Sequence, residues 1–130
     1  MIDKRFLSEN HVLLFQELMS RFFGEDEIGH DMLTNHRDLG PSLYALAAIT
    51  YKADDLRRHI GRHHIDFPGL LKTGEAWSDG ERSLLRLAAN LWNDGDHPAT
   101  VGDCFGGLDA RNFEAATYAL RWRFGRLDPA

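Results

Sequence analysis

The chain has 130 residues, the length of one domain, with 43% hydrophobic and 27% charged residues, which are ordinary values for a folded globular protein. Its formal net charge of -5 argues against nonspecific nucleic-acid binding, which requires an excess of Lys and Arg. The single cysteine, Cys104, excludes an intrachain disulfide, and no apolar run reaches membrane-spanning length. Because the N-terminal stretch is also too polar for a signal peptide, we expect a cytoplasmic protein without a membrane segment.

The first predicted helix covers Glu9–Phe23 and has clear signals at both ends. The Ser8 hydroxyl can accept the free amide protons of its first turn, and apolar side chains follow at helical spacing. Gly24 ends it, because glycine enters a left-handed cap without penalty. The region after the acidic turn is ambiguous and leaves open a short helix over His30–Asn35.

The middle of the chain is expected to hold a buried helix and a basic helix. Pro41 opens the first, over Ser42–Lys52, and the near absence of charge there predicts a central position. A second helix over Asp55–His64 is capped by one of two neighbouring aspartates, unless the two helices merge. Ile65–Trp77 follows as the longest irregular segment, with its apolar side chains against the body.

The clearest helix signal in the chain runs from Ser78 to Gly95. Ser78 and Glu81 have capping-box spacing, in which each side chain satisfies a backbone amide near the other. Gly95 supplies the stop signal. The stripe expected to be buried consists of Leu84, Leu87, Ala88 and Leu91, with Leu85 and Trp92 at its margins.

Two helices are predicted near the C-terminus. Thr100 caps a short one through Phe105, and Asp109 caps a longer one over Ala110–Phe124. Tyr118 and Trp122 lie on a different face of the longer helix. Exposure of both side chains would make that face a candidate homodimer interface. The stripe expected to be buried is Phe113, Ala116, Leu120 and Phe124.

These elements together predict the fold class. No segment shows the sustained alternation of apolar and polar residues that a half-buried strand requires. The sequence therefore predicts an all-α fold, in which residues 1–130 form a compact single-domain bundle of about five to six helices.

Three segments also resemble a small uncharacterised bacterial and phage-associated family. They are the tyrosine-bearing Tyr44–Thr50, the Asp-Leu-Arg-Arg-His-Ile run Asp55–Ile60, and the Arg-Leu-Ala-Ala-Asn-Leu-Trp helix Arg86–Asn93. The resemblance covers roughly residues 8 to 124, but Thr73–Ser78 departs from the Gly-Trp-Gln-Thr stretch typical of the family. It implies a domain of unknown function and transfers no catalytic residue.

The basic helix contains the one arrangement suited to a metal. Residues four apart share a helix face, so Asp55, His59 and His63, with the neighbouring His64, predict a candidate metal site and a small metal-dependent hydrolase. The same residues also fit a solvated basic helix end, and the two nearest arginines would repel a cation. A further ligand would come from His11, His30, His36 or His97.

A second polar cluster surrounds Trp92. Asn90 lies within an apolar helix and must find partners if it is buried. We expect it to bond the backbone of the long irregular segment near Trp77, although a small ligand or peptide held by Trp92, Asn90 and Asn93 is the alternative.

Residues 100–124 have the layout of a helix-turn-helix, with a short helix, a glycine turn and a longer helix. Arg111, Asn112, Arg121, Arg123 and Arg126 are the residues available for DNA, but from Thr100 onward acids and arginines are equal in number. Because excess positive charge is missing, two helices closing the core explain the pattern better than a nucleic-acid partner.

The preferred hypothesis is therefore a noncatalytic protein-interaction or regulatory module without a cofactor, whose partner is another protein. The acidic N-terminal region and the helix bearing Arg57, Arg58 and Arg62 are the expected surfaces, although the two can also complement each other within the chain. Cys104 is expected to be a small buried hydrophobic residue, because the adjacent Asp103 disfavours the thiolate.

Overall fold

Helices form most of the chain in the computed structural model, which describes residues 5–24 and 37–126. Its seven α-helices are α1 Glu9–Phe23, α2 Gly40–Ala47, α3 Ala53–His59, α4 Phe67–Thr73, α5 Asp79–Trp92, α6 Val101–Phe105 and α7 Ala110–Arg123. Two 3-10 turns, Thr50–Lys52 and Gly74–Ala76, and one antiparallel pair of strands, β1 Ile60–Gly61 and β2 His64–Ile65, complete the described elements. The predicted all-α class is confirmed, with more helices than expected.

Side-chain caps begin four of these helices where the sequence predicts them. Ser8 accepts from the His11 amide at 3.1 Å, and Asp109 accepts from the Asn112 amide at 2.8 Å. The starts of α5 and α6 are complete capping boxes, formed by Ser78 with Glu81 and by Thr100 with Asp103. Helices α1 and α6 also end where predicted, whereas α5 stops at Trp92 rather than at Gly95 and α7 stops at Arg123 rather than at Phe124.

The central helix of the fold is α2, whose eight residues are all buried. Helices α1, α5 and α7 pack around it, which confirms the central position predicted from its low charge. It begins at Gly40 and ends at Ala47, short of the predicted Lys52. The buried Ser42 hydroxyl finds a hydrogen-bond partner in the Ala88 carbonyl of α5, to which it donates at 2.8 Å.

The predicted helix over Asp55–His64 is wrong in its second half. Helix α3 ends at His59, and the chain turns back as a hairpin in which Ile60 pairs with Ile65. Both isoleucines are buried, so the hairpin places two branched side chains in the core where a continuing helix would not. His63 takes a left-handed conformation at φ 56 to make the turn.

The predicted irregular segment Ile65–Trp77 is also wrong, because most of it is helical. Asp66 caps α4 by accepting from the Gly69 amide at 3.0 Å, and Pro68 occupies its first turn. Asp-x-Pro is a start signal of the same kind as the others, and the neighbouring glycines obscured it.

The buried stripe predicted for α7 is only partly correct, because Ala116 is buried and Leu120 is half-buried but its two phenylalanines are exposed. Phe113 is 48% exposed and Phe124 is 60% exposed, and the helix itself ends at Arg123. Beside Ala116, the face that packs on the core carries Ala115, Ala119 and Trp122. Small side chains let α7 approach α2 closely, and Trp122 then fills the space beside Gly40, so size rather than hydrophobicity decided which face was buried.

The basis for a homodimer at this helix is therefore lost. Trp122 is 1% exposed, and Tyr118 is half-buried with its ring centroid 5.0 Å from that of Tyr44.

Two further expectations concern other parts of the chain. The short helix at His30–Asn35 lies outside the described residues, and none of the described helices is long and apolar enough to cross a membrane.

Candidate functional site

A cleft of about 640 Å³ opens on the described surface. It lies between the first half of α1, the 48–53 segment that joins α2 to α3, and the starts of α5 and α7. Buried apolar side chains from three of these elements, Leu14, Ile49 and Leu84, form its floor. A concave apolar surface with polar groups around it is the usual form of a binding site.

Two large apolar side chains stand exposed among the residues lining the cleft. Tyr51 is 94% exposed and Leu13 is 54% exposed. Tyr51 is turned outward because Ile49 leaves the helical conformation, with φ -86 and ψ 62, and the chain continues as a short 3-10 turn. Leu13 lies on α1 beside the buried Leu14, outside the apolar stripe. Exposed apolar side chains beside a cleft are typical of interaction surfaces.

His11 also lines this cleft, and both of its ring nitrogens are occupied. The Leu7 amide donates to Nδ1 at 3.1 Å, so the proton sits on Nε2, which donates to the Tyr44 carbonyl at 2.9 Å. The pKa of His11 is lowered to about 4, chiefly by burial and also by the nearby Arg111 charge, while the hydrogen bond to the Tyr44 carbonyl acts in the opposite direction. Packed against the rings of Phe6 and Tyr44, this histidine is a structural residue.

One end of the cleft carries an ion pair between α1 and α3. The Arg57 guanidinium donates to both oxygens of Glu17, at 2.6 and 2.9 Å, and to Asp54 at 2.8 Å. The hydrogen bond from Arg57 lowers the pKa of Glu17, and the Glu17 carboxylate raises the pKa of Arg57. The acidic start and the basic middle of the chain thus complement each other here, within the molecule.

The other two predicted surface arginines do not line the cleft. Arg58 pairs with Asp55 at 3.1 Å, one turn earlier on the same helix. The Arg62 guanidinium lies against Gly24, so close that a Cβ there would meet it at 2.8 Å. Of the predicted basic surface, only Arg57 belongs to the cleft.

Helix-capping residues line the opposite end of the cleft. Glu81 accepts from Ser78 with its Oε1 atom, and Asp109 accepts from the Asn112 amide with its Oδ1 atom. Arg111 donates to the Leu7 carbonyl at 2.6 Å, which ties the start of α7 to the segment preceding α1. These side chains therefore hold helix ends in place as well as facing the cleft.

The structure does not assemble the predicted metal site. Because the helix ends at His59, the four side chains of Asp55, His59, His63 and His64 do not share a helix face. His59 Nδ1 lies 2.7 Å from the Asp55 carbonyl, and the His63 ring packs edge-on against Phe22 with centroids 5.8 Å apart. Among the described residues, which do not include His30 and His36, no three metal-binding side chains are grouped so as to hold an ion.

The polar cluster around Trp92 closes a loop instead of forming a ligand site. Asn90 donates to the His97 carbonyl at 3.0 Å, so its partner is a backbone group, although not the predicted one near Trp77. The Asn93 side chain bonds Asp96 twice, at 3.0 and 3.1 Å. Trp92 itself packs between the rings of Phe22 and Phe67, at 5.5 and 5.9 Å. None of these three residues lines the cleft.

The arginines of the helix pair at residues 100–124 contact groups of the same chain. Arg111 bonds Leu7, Arg123 lies 3.7 Å from Asp38, and Arg121 donates to the Arg126 carbonyl at 3.3 Å. Cys104 in α6 is buried as predicted, and burial raises the pKa of its thiol, with the adjacent Asp103 carboxylate acting in the same direction.

The sequence pattern did not identify the exposed residues of the cleft. Leu13 lies next to the regular apolar stripe of α1, so its spacing does not distinguish it from a residue at the margin of that stripe. Tyr51 falls inside the helix predicted over Ser42–Lys52, whereas that helix ends at Ala47 in the structure. The chain matches no family model, no curated protein and no solved structure. The functional proposal therefore rests on the residues that line the cleft.

Proposed function

We propose that this protein is a noncatalytic interaction module that binds a segment of a partner protein in the cleft between α1, the 48–53 segment and α7. The observation that carries the proposal is the exposure of Tyr51 and Leu13 among the residues that line this cleft. Tyrosine supplies a large contact area at low entropic cost and is enriched at the residues that dominate binding energy.

The engagement of the ionisable groups in the cleft supports a binding role over a catalytic one. His11 has both ring nitrogens bonded and is neutral above about pH 4. Glu17 is held by Arg57, and Glu81 and Asp109 are occupied in helix caps. A general base is most effective with a pKa near the working pH, and the lowered pKa values of His11 and Glu17 work against that role. The single buried thiol supports a cytoplasmic setting for this binding.

Selection from a random linear peptide library displayed on phage tests the proposal. The library is selected on wild-type protein, and the recovered peptides are screened against a variant carrying Leu13→Ser and Tyr51→Ser. We expect peptides whose binding to the wild type is lost in this variant, because both changes remove apolar contact area without altering charge.

The matched control removes exposed apolar side chains elsewhere. Val101 and Phe113 are 78% and 48% exposed on α6 and α7, so Val101→Ser with Phe113→Ser is a comparable change outside the cleft. The proposal requires the selected peptides to keep binding this control. Recovery only of peptides that ignore the cleft variant, or of none above background, would contradict it.

A further inference from the structure

The neutral polar groups of the cleft indicate how a partner segment is held there. We infer that the segment binds in an extended conformation, with its backbone paired to the side-chain amides of Asn10 and Asn112 and an apolar side chain against the cleft floor; this inference rests on the proposed function. The apolar floor, the balanced charges and the two amides each limit what the cleft can accept.

The floor of the cleft selects an apolar side chain. Leu14, Ile49 and Leu84 are buried residues that nonetheless contact the cleft, and Leu13 and Tyr51 stand exposed beside it. An apolar side chain placed against them removes further apolar area from water. A charged side chain in the same position would lose its hydration without a partner.

The ionised side chains that line the cleft are balanced, so they select neither an acidic nor a basic ligand. Glu17 and Arg57 neutralise each other through two hydrogen bonds at one end. At the other end, Glu81 and Asp109 cap α5 and α7. Their charges are offset by Arg111, which lines the same end, and by the positive partial charge, about half a unit, at the start of each helix. A neutral polar group, such as a peptide unit, is therefore the fitting ligand there.

The cleft also presents two side-chain amides with unused hydrogen-bonding groups. Asn10 is exposed on the first turn of α1 and Asn112 is half-buried on the first turn of α7, so they line the cleft from two helices. A Cβ on Gly80 would meet Asn112 Nδ2 at 3.5 Å, which places this amide over the start of α5. Neither side-chain amide has a hydrogen-bond partner in the described part of the chain, so each keeps a donor and an acceptor for a ligand.

A side-chain amide matches a peptide unit group for group. Its oxygen accepts from a backbone N–H while its nitrogen donates to a backbone carbonyl. An extended segment keeps these backbone groups available along its length, whereas a helix engages them internally except at its ends. Pairing with Asn10 and Asn112 therefore favours an extended segment over a helical one. Main-chain hydrogen bonds then supply affinity, and the apolar floor supplies side-chain specificity.

Removal of single backbone N–H groups from the ligand tests the inference. The probe is a peptide selected in the cleft-dependent screen, in which each amide in turn is replaced by an ester that lacks the donor. Calorimetry on the wild-type chain is expected to show affinity losses of about threefold to tenfold at one or two positions, the value of one hydrogen bond. In Asn10→Ala or Asn112→Ala, where alanine favours the helix, the loss at the matching position is expected to disappear.

The matched control is Gln16→Ala, which removes an exposed side-chain amide from α1 outside the cleft. It should leave every ester effect unchanged. Three results would overturn the inference and leave the proposed function standing: cleft-dependent peptides in which no ester lowers affinity, ester losses that are the same in both asparagine variants as in the wild type, or helical Cα chemical shifts in the bound, labelled peptide. A screen that yields no cleft-dependent peptide would overturn both.

Discussion

His11 illustrates how one polar side chain is accommodated among the aromatic residues of the core. Its side chain is fully buried against Phe6 and Tyr44, yet each ring nitrogen has a backbone partner. An unpaired buried imidazole would cost the full penalty of its desolvation, so the two bonds are what permit a histidine here. They also fix its neutral form, because a protonated ring has no acceptor for the Leu7 amide.

We expect this histidine to make the folded chain sensitive to acid. Its pKa is about 4 in the folded chain and 6.5 without the fold, so between these values the unfolded chain binds a proton that the folded chain does not. Stability therefore rises with pH across this window, and about 3 kcal/mol of it is lost as the pH falls from 6.5 to 4. Urea unfolding at a series of pH values measures the slope.

A variant that cannot titrate isolates the contribution of His11 from that of the carboxylates. His11→Gln is expected to lower stability at neutral pH and to flatten the slope between pH 4 and 6.5. Direct NMR titration of the wild-type ring gives the same information without a substitution. Equal slopes in the two proteins, or a ring that titrates near its ordinary pKa, would show that His11 is not held neutral by burial.

Among the elements, four helix starts are readable from sequence, whereas α3 begins at Ala53 without the predicted aspartate cap and the start of α4 lies in a segment predicted to be irregular. The faces that helices bury are not always predictable either. Ser78 with Glu81 and Thr100 with Asp103 are local arrangements, and the structure contains both capping boxes. The face of α7 depends on what α2 presents to it. Phe113 has the more hydrophobic side chain, but Ala115 and Ala119 allow the close approach that the small residues of α2 invite.

The hairpin at residues 60–65 was missed for a similar reason. Six residues are too few to show alternation, and a histidine with positive φ is not a turn signal that composition reveals. The two ends of the cleft come from the starts of α5 and α7 and from α1 with α3, which are distant in sequence, so no local pattern could bring them together. Of the residues predicted to bind a protein or a small ligand, only Arg57 lies there, and the cleft also includes Arg111 and Asn112 from the predicted helix-turn-helix.

The packing of α2 against α7 supplies a direct test at the scale of elements. A Cβ on Gly40 would lie 2.3 Å from the Trp122 ring, whereas a Cβ on Gly61 in β1 meets nothing within 4 Å. We expect Gly40→Ala to destabilise the protein by roughly 1–3 kcal/mol, because a buried indole has little room to move. Gly61→Ala is the matched control and should change stability little. Similar urea midpoints for the two variants would contradict this packing.

At the scale of the whole molecule, the segment before α1 ties three helices together beside the cleft. The Tyr44 hydroxyl of α2 donates to the Arg5 carbonyl, the Leu7 amide donates to His11 of α1, and Arg111 of α7 donates to the Leu7 carbonyl. With α2 buried at the centre, these bonds fix the relative positions of the elements that form the cleft. In the proposed complex, the partner segment would meet a surface that is already formed, which lowers the entropic cost of binding.

Peptide binding in the cleft is tested most directly by following the backbone amide chemical shifts of the labelled protein as a cleft-dependent peptide is added. We expect the largest changes to cluster at residues 7–17, 48–53, 81–84 and 109–112, the segments that line the cleft. Changes concentrated instead on the exposed side of α6, or on the hairpin at residues 60–65, would contradict it.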